Sequence, residues 1–519
     1  MDTDTASGVT LPRGFDSLDQ YAEALGQAYS QFGYLAQMHI VNFFVSDQWS
    51  KLPPEWQRYF DADAFHITSL VKMASTGTVD SDCPDSLRAY VEQMVSLQFP
   101  REKLASTFDN TDTSEERSRI QKYFLDGMSP KKQAEVIELS QLVTEIATAT
   151  GCRRITDVGA GQGYLTRVLA YASNSSTAQL LALDHDWKQA RGAEKYQKRT
   201  LKRLRGTRAR SEGYVWDDAL ETRIVHDVEA IDMQTALKLA DISQQGVPDG
   251  AFMLCGLHAC GNLSSAVLRA FAESNAAAVA LVPCCYNHIT EKHPSSDTAA
   301  AAAASVGECL DQIQSRQSSQ DEQLPGFPLS DRFPGVFLGA NSLKAACQAT
   351  PRWEHEIDST MESFKRNFFR ALLHHLMVSS GGLSADAAFP VVGKITTTDI
   401  DQARRDTLDQ LANNETGDRD DIDFALYVYA ALKRLDYAWR PSVAQCIACR
   451  QEMQHGLKQM AAVWALRSMI GSLIESIIVV DRAAYLGRHC GPGGLVRAFA
   501  LFDPVTSPRN IVLVGQRKR

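Results

Sequence analysis

The sequence predicts an α/β fold built on a mainly parallel sheet, with large helical segments attached to it. Between residues 151 and 290, short apolar runs alternate with stretches of helical periodicity. Short strands joined by helices require right-handed crossovers and a sheet that is buried on both faces. Two more β-rich runs follow much later, at 495–502 and 510–515, joined by the turn-rich segment DPVTSPR. Such a pair predicts an antiparallel hairpin that closes the sheet.

The elements can be placed in order along the 519 residues, a length that accommodates about two to four domains. Residues 1–150 are predicted to be a helical N-terminal domain, whose last helix is capped by Ser129 and opened by Pro130. Residues 151–292 carry five strands, expected at 155–159, 179–184, 223–227, 250–257 and 277–284. Their helices are expected at 163–173, 187–204, 229–242 and 263–274. The remaining segments are interpreted as a low-complexity or loop excursion (293–339), a helical insertion (340–490) and the closing hairpin (491–519).

Residues 155–169, ITDVGAGQGYLTRVL, combine a strand, a tight turn and the start of a helix, with three glycines at alternate positions of the turn. Glycine lets the backbone turn sharply and lets a ligand approach without Cβ atoms in the way. The first helical turn also leaves N–H groups unpaired, ready for a carboxylate or another acceptor. We therefore expect five residues of this segment to hold a small ligand: Asp157, Gly159, Ala160, Gly161 and Gly163.

Acidic residues end the next two predicted strands. Asp184 closes the run QLLAL, where a carboxylate can accept hydrogen bonds from both ribose hydroxyls of an adenosine. The G-x-G-x-G spacing with an acid two residues upstream is similar to the S-adenosylmethionine (SAM) turn of class I methyltransferases, and it differs from the G-x-G-x-x-G turn of dinucleotide-binding proteins. Asp227 resembles the position that contacts the adenine amino group in that fold, or else it caps the next helix. A nicotinamide cofactor, or a strand–helix corner without a ligand, is the alternative for the whole turn.

Seven segments touch nearly every part of the chain from residue 40 onward: FFVSDQWSKLPPEW (43–56), GMSPKK (127–132), DVGAGQGYLTRVLA (157–170), LHACGNLS (257–264), CCYNHIT (284–290), ACQ (346–348) and LFDPVTSPRNIVLV (501–514). Together they resemble the methyltransferase-like protein 25 family, some of whose members are labelled ribosomal RNA adenine dimethylase domain-containing proteins. The resemblance implies a seven-stranded, Rossmann-like class I core, SAM as the cofactor, and an enzyme that transfers a methyl group.

Two positions depart from the pattern of that family. Ala134 stands where its members tend to carry His, and Asn262 stands where they tend to carry Asp. If either side chain is catalytic in relatives, this chain is a SAM-binding sensor or scaffold rather than an active enzyme. The pairing of LHACG with a later Cys-Cys-aromatic run is also similar to tRNA acceptor-stem 2′-O-methyltransferases. The Asn-Pro-Pro-aromatic motif of N6-adenine methyltransferases is missing, so the sequence does not support adenine N6 chemistry.

Candidate catalytic residues follow the fourth and fifth predicted strands. Methyl transfer needs in-line positioning and, for a poor nucleophile, a base. His258 is the candidate base and a candidate contact to the cofactor, with a structural histidine as the alternative. Tyr286 can stack on a base or donate to an oxygen, or it can pack at the core edge. Four cysteines near these strand ends, together with His258, suggest a zinc site: Cys255, Cys260, Cys284 and Cys285. Their spacing matches no zinc ribbon or zinc finger, so no metal is predicted.

The charge distribution bears on the substrate. The net charge is −9, yet the segment from Lys195 to Ser211 holds eight basic residues and no acid, which leaves −17 on the rest of the chain. The helix that carries this cluster follows the second strand, so it is either a solvated face or a phosphate-contacting patch. We expect RNA to contact it through four residues: Lys198, Lys202, Arg203 and Arg205. A protein substrate or partner that docks on the helical domains is the alternative.

Cysteine usage and hydropathy bear on the compartment. The cysteines at predicted buried strand ends suit free thiols in a reducing compartment, so the cytoplasm or the nucleus is expected. The first residues, MDTDTASGVTLPRG, are acidic and polar and do not resemble a secretory signal. No uninterrupted apolar window of eighteen residues is apparent, and no membrane span is expected.

Overall fold

The centre of the fold is an eight-stranded sheet. The computed structural model describes residues 6–103, 123–171, 178–206, 216, 218–229, 235–248, 250–292, 324–384, 387–412 and 417–518. The strands are β1 (Ala6–Val9), β2 (Arg154–Val158), β3 (Gln179–Asp184), β4 (Ile224–Val228), β5 (Phe252–Cys260), β6 (Ala278–Cys284), β7 (Leu495–Ala500) and β8 (Ile511–Gln516). Their order across the sheet is β1-β7-β8-β6-β5-β2-β3-β4.

The strand directions confirm the predicted split core. Strands β2 to β6 are parallel to one another, and β8 lies antiparallel between β6 and β7. The closing hairpin therefore joins the sheet formed by the five earlier strands, although about 200 residues separate them in sequence. Every residue of β6 is buried, as expected for a strand covered on both faces and paired on both edges.

Strand β1 corrects the prediction of seven strands and adds a strand to the region before residue 150, which was predicted to be mainly helical. It pairs in parallel with β7, from Ala6 opposite Leu495 to Val9 opposite Ala498. Four residues with little apolar character carry no period-2 signal that sequence inspection could detect. The strand forms because the open edge of β7 supplies hydrogen-bond partners, so its stability comes from pairing rather than from its own propensity.

The described part of the chain also contains α-helices in both the N-terminal region and the later segments. They are α1 (Leu18–Gln37), α2 (Pro54–Asp61), α3 (Ser69–Thr76), α4 (Asp85–Ser96), α5 (Pro130–Ala149), α6 (Tyr164–Tyr171), α7 (Trp187–Leu204), α8 (Ala236–Gln244), α9 (Asn262–Ala272), α10 (Gly339–Ala345), α11 (Ile357–Ser379), α12 (Thr397–Asp406), α13 (Leu408–Ala412), α14 (Arg419–Arg434), α15 (Val443–Glu452) and α16 (Gly456–His489). Helix α5 begins as predicted, because Ser129 accepts a hydrogen bond from the Lys132 N–H at 3.3 Å and Pro130 occupies the first turn. The predicted low-complexity excursion lies largely outside the described residues, from 293 to 323.

The chain divides into two compact units whose limits differ from the predicted domain boundaries. The first unit contains 1–33, 96–349 and 471–519, and it holds the sheet. The second contains 34–95 and 350–470, and it is helical. Helices from the N-terminal region and from the insertion thus belong to one unit, because α-helical periodicity shows that a face is buried without showing which other helix covers it.

Helix α16 is long enough and apolar enough to cross a membrane, judged by length and composition alone. Its mean hydropathy over the best window is 1.7, and 89% of that window is buried inside the protein. The prediction from the sequence did not include this helix, because polar residues such as Ser472 and Glu475 interrupt its apolar sequence. A buried core helix has the same composition, so hydropathy alone does not distinguish the two situations.

Candidate active site

The carboxyl edge of the parallel strands gathers most of the residues predicted to be functional. Asp227 lies on β4, Asp184 ends β3, the glycine turn follows β2, and His258 lies near the end of β5. Because these strands are neighbours in the order β4-β3-β2-β5, their ends succeed one another at intervals of about 4.8 Å. A ligand that crosses this edge can therefore contact all four positions, as ligands of open α/β sheets generally do.

The glycine turn has a left-handed backbone and an open face. Gly159, Gly161 and Gly163 have φ angles of 73°, 55° and 65°, which residues with a Cβ rarely adopt. A Cβ on Gly163 would lie 3.0 Å from the Cβ of Ala193, so that glycine is also needed for close packing against α7. A Cβ on Gly161 would meet nothing within 4 Å. The turn thus leaves free space beside Gly161, as a ligand-binding turn requires.

Asp184 is held against this turn. One carboxylate oxygen accepts a hydrogen bond from the Gly161 N–H at 2.8 Å, and the other accepts one from the Asp186 N–H at 2.9 Å. The side chain is 10% exposed. Since a carboxylate has about four acceptor sites, two remain available, which is what a ribose diol needs. The geometry therefore suits the predicted role of Asp184.

Asp157 does not fit the cofactor-contacting role predicted for it. Its side chain is 1% exposed, and one oxygen accepts a hydrogen bond from the Thr166 hydroxyl at 2.6 Å. Burial raises the pKa of Asp157 to about 6, against the effect of the Thr166 hydrogen bonds. Asp157 therefore fastens β2 to α6 beneath the turn, and its effect on a ligand is indirect.

Asp227 is exposed near the end of β4, the strand next to β3. Its carboxylate accepts a hydrogen bond from the N–H of Val228 at 2.8 Å. Within the described residues, the next helix, α8, begins only at Ala236, so the alternative role of a cap for that helix is not observed. The carboxylate has remaining acceptor capacity, which keeps Asp227 a candidate for the adenine amino group.

His258 has the strained backbone that often marks functional positions. Its φ is 61°, and the pairing of β5 with β6 shifts register between Leu257 and Ala259. The bulge places the Nε2 atom of His258 3.1 Å from an oxygen of Glu135 on α5. A non-glycine residue in this conformation needs compensating contacts, and the carboxylate provides one.

Glu135 is a residue that sequence reasoning did not single out. It is fully buried, it accepts a hydrogen bond from the Ser507 hydroxyl at 2.7 Å, and it lies 3.1 Å from the ammonium of Lys132. Burial alone would raise the pKa of Glu135, but the hydrogen bonds from His258 and Ser507 and the charge of Lys132 lower it to about 2. The sequence signal that could have identified Glu135 is an acidic residue at a position of α5 that faces the core.

The contact with Glu135 defines which nitrogen of His258 can act as a base. A carboxylate only accepts hydrogen bonds, so Nε2 carries a proton and Nδ1 is left as the basic nitrogen of the neutral ring. An anionic partner also stabilises the ring once it has taken a second proton, as the carboxylate does in hydrolase triads. The pair therefore has the chemistry of a general base with a positioning acid.

Tyr286 does not provide the stacking surface predicted for it. The ring is 1% exposed, and its hydroxyl donates to Glu475 at 3.0 Å. The guanidinium groups of Arg482 and Arg509 lie 5.8 and 5.7 Å from the ring centroid. Burial raises the pKa of Tyr286. The residue is part of a buried ionic network, so neither face of the ring is available to a nucleobase.

Asn262, one of the departures from the family pattern, has a structural role. Its amide donates to the Thr290 hydroxyl at 2.8 Å and accepts from the Thr290 N–H at 2.9 Å. The side chain thus ties the start of α9 to the segment that follows β6. An amide serves both contacts because it can donate and accept at once.

The basic cluster on α7 is partly neutralised inside the protein. Arg203 lies 3.0 Å from the carboxylate of Asp126, and Arg205 forms an ion pair with Glu221. Lys198 and Lys202 are exposed, and neither forms an ion pair with a residue in the described part of the chain. Two of the cluster's eight residues, Arg208 and Arg210, lie outside the described residues. Arg199 also lies 3.1 Å from the carboxylate of Asp126, so two arginines share one acid. The free positive charge in the described part of the cluster is therefore carried mainly by the lysines.

The strand order, the glycine turn and the acids on β3 and β4 define a class I methyltransferase fold. Residues 131–292 match a family model described as a methyltransferase domain. A probable methyltransferase-like protein 25 of Mus musculus is 25% identical over 273 residues, covering 51% of this chain and 38% of the mouse protein. Its counterpart of the same name in Homo sapiens is 23% identical over 275 residues, covering 51% of this chain and 37% of the human protein. No solved structure matches the chain.

These matches agree with the family predicted from the sequence: the chain contains a methyltransferase domain and is similar over about half of its length to proteins named probable methyltransferase-like protein 25. The matched region spans less than two-fifths of the length of those curated relatives. The methyltransferase domain match begins at residue 131, so it includes Glu135 on α5 as well as the carboxyl edge of β2 to β6.

Proposed function

We propose that this protein is a SAM-dependent methyltransferase that uses His258 as its general base. The observation that carries the proposal is the position of Asp184, whose carboxylate is bonded to Gly161 at the open side of the glycine turn. That arrangement supplies the acceptor for a ribose diol and the adjacent free space for the rest of the cofactor. When bound, SAM supplies an electrophilic methyl group on a sulfonium.

Residues of the protein would position and deprotonate the nucleophile that receives the methyl group. His258, on the strand next to the glycine turn, accepts a proton from the nucleophile through Nδ1 as the methyl group is transferred. Glu135 holds the ring by its Nε2 atom at 3.1 Å and stabilises the positive charge that develops. A base of this kind suits a hydroxyl or another nucleophile that must lose a proton.

The cofactor site is tested with Asp184→Ala. Removing the acceptor of a charged hydrogen-bond pair costs about 1.5–3 kcal/mol, so the affinity for SAM should fall by roughly 10- to 150-fold. Isothermal calorimetry with SAM measures this directly. Asp401→Ala, an exposed aspartate on α12 in the helical unit, is the control and should bind SAM as wild type does. If wild type and both variants bind SAM with equal affinity, Asp184 does not contact the cofactor.

Catalysis is tested separately with His258→Ala. Purified protein is incubated with radiolabelled SAM and fractionated cell extract, and label is measured in RNA, protein and small-molecule fractions. We expect transfer by wild type and a loss of about 10²- to 10⁴-fold in the variant, the usual contribution of a general base. Intact SAM binding with no transfer by wild type would instead favour a sensor or scaffold that has lost catalysis.

RNA is the substrate class that we propose. Lys195, Lys198 and Lys202 follow one another at helical spacing along an exposed face of α7. Trp187, at the start of the same helix, is 57% exposed and replaces Tyr286 as the candidate stacking surface. Helix α7 follows directly after Asp184, so a strand bound along it would lead toward the carboxyl edge. Aromatic stacking and phosphate contacts are the two means by which proteins bind single strands without reading their sequence.

The RNA proposal predicts different effects of lysines and arginines on one helix. Replacing Lys195, Lys198 and Lys202 by Ala should weaken RNA binding and reduce its log–log salt slope by about 0.7 for each phosphate that is no longer neutralised, while SAM affinity is unchanged. Replacing Arg203 and Arg205, which are already paired with acids, should have a smaller effect. The measurement is fluorescence anisotropy with labelled RNA over a range of salt concentrations. Unchanged activity of the triple variant on the true substrate would favour a protein substrate.

A further inference from the structure

Strand register brings two cysteines together at the carboxyl edge. Cys260 and Cys284 are direct partners in the pairing of β5 with β6, each at the last position of its strand. Their sulfur atoms are 3.1 Å apart. The two residues are 24 positions apart in sequence, so no short motif announces their proximity. Parallel pairing alone places them side by side.

A third cysteine turns toward the same point. Successive residues of a strand point to opposite faces, so Cys285 would ordinarily face away from Cys284. Cys285 instead follows the end of β6 with φ 50° and ψ 50°, a left-handed conformation that breaks the alternation. Its sulfur lies 3.5 Å from that of Cys284, and the sulfur atoms of Cys260, Cys284 and Cys285 all lie within 4.8 Å of one another.

A buried positive charge lies next to these sulfurs. Arg482 is fully buried, its Nε and Nη1 atoms have no hydrogen-bond partner, and its charge is close enough to interact with Cys284. A buried guanidinium with unused donors is costly unless an anion is near it.

We propose that Cys260, Cys284 and Cys285 bind a thiophilic metal ion, Zn²⁺, as three thiolate ligands with one further position open. Zn–S bonds of about 2.3 Å in tetrahedral geometry place ligand sulfurs roughly 3.8 Å apart, within the range that the three sulfurs span. Three thiolates and Zn²⁺ carry one net negative charge, which Arg482 can balance. Three protein ligands with an open fourth position is the pattern of reactive rather than structural zinc sites.

Two nearby groups from the zinc hypothesis based on sequence are not part of this set. Cys255 is fully buried earlier in β5, and burial raises its pKa well above the usual range. His258 is committed to Glu135 through Nε2. Cys260 is exposed, so the open position can be reached from solvent. Metal binding by these three sulfurs requires neither SAM nor methyl transfer.

Metal binding is tested with cobalt and zinc on the full chain, purified under reducing conditions and freed of metal by a chelator. Co²⁺ should produce thiolate-to-metal charge-transfer absorption and the strong visible bands of a tetrahedral site, and added Zn²⁺ should abolish both. Cys260→Ser and Cys284→Ser should weaken binding by more than the roughly 10- to 100-fold typical of changes outside the ligand set. Cys449→Ala, in helix α15 of the other unit, is the control and should bind as wild type does.

Circular dichroism of each variant separates the loss of a ligand from the loss of the fold, and Cys260→Ser is the more informative change because Cys260 is exposed. A folded Cys260→Ser protein with wild-type cobalt spectra and zinc content would overturn the proposal. So would a wild-type protein that binds no metal when reduced and forms a Cys260–Cys284 disulfide in air, since the cluster would then be a redox pair.

Discussion

The contact between His258 and Glu135 illustrates how single residues acquire their chemistry from a distant part of the chain. The two are 123 positions apart, one on α5 and the other at a bulge in β5. The periodicity of α5 indicated a buried face, but it did not indicate that Glu135 belongs to that face. A buried carboxylate is tolerated only with partners, and His258, Lys132 and Ser507 are not adjacent to one another in sequence.

Glu135→Gln should lower both stability and activity. Glutamine keeps the shape but loses the charge, so the change should cost about 1–3 kcal/mol at neutral pH and should lower kcat more than SAM affinity. Glu138→Gln is the control, because Glu138 lies one turn further along α5 and pairs with the exposed Lys103. Chemical denaturation and single-turnover transfer are the measurements. If both variants behave alike, Glu135 does not position His258.

The same residue predicts a pH dependence of stability. The pKa of Glu135 is lowered from 4.5 to about 2 in the folded protein. A depressed pKa contributes stability that is present above about pH 4.5 and is lost as the pH falls toward 2. The difference in unfolding free energy between wild type and Glu135→Gln should therefore shrink over that window, as measured by denaturation at a series of pH values. A difference that is constant with pH would contradict the proposed ionisation.

At the scale of elements, sequence periodicity predicted most strands, but it did not predict the features that depend on packing between elements. The strands from β2 to β8 lie within three residues of their predicted bounds, because most of them are buried and apolar. The helix predicted at 229–242 is described only from Ala236 to Gln244, and residues 230–234 lie outside the described residues. The pattern did not reveal β1, which depends on the edge of β7, nor the bulge that displaces His258. The sequence could not decide between stacking and core packing for Tyr286, because a tyrosine that follows a strand has the same pattern whether it faces solvent or a buried Glu475; the structure fits the second alternative.

Helix α16 offers a matched pair of glycines that tests close packing between elements. A Cβ on Gly471 would collide with the backbone carbonyl of Ala345 on α10, whereas a Cβ on Gly487 would meet nothing within 4 Å. Gly471→Ala should destabilise the protein by about 1–3 kcal/mol through overpacking. Gly487→Ala should be neutral or stabilising by up to about 1 kcal/mol, since alanine is the better helix former. Thermal denaturation of both variants measures the two stability changes. Equal changes would show that α10 shifts to make room for the added methyl group.

For the whole molecule, the stability of the sheet depends on β8 because this short strand lies between two others. It pairs with β6 on one side and β7 on the other, whereas β1 pairs only with β7 at the edge. Removing residues 511–519 should therefore prevent formation of a stable sheet, and removing residues 1–10 should leave it folded. Limited proteolysis and circular dichroism would report the difference. A truncated chain that lacks β8 yet binds SAM with wild-type affinity would contradict this prediction.

The central place of β8 also has a consequence for biosynthesis. When the ribosome has completed β6 at Cys284, the strand that covers its edge begins only at Ile511, about 230 residues later. At translation rates of about 5–20 residues per second, that edge stays unpaired for roughly 10–45 s. Exposed strand edges are templates for aggregation, so the nascent chain should depend on chaperones during this interval. Slower translation of the 285–510 segment would then reduce the yield of folded protein without any change in its amino-acid sequence.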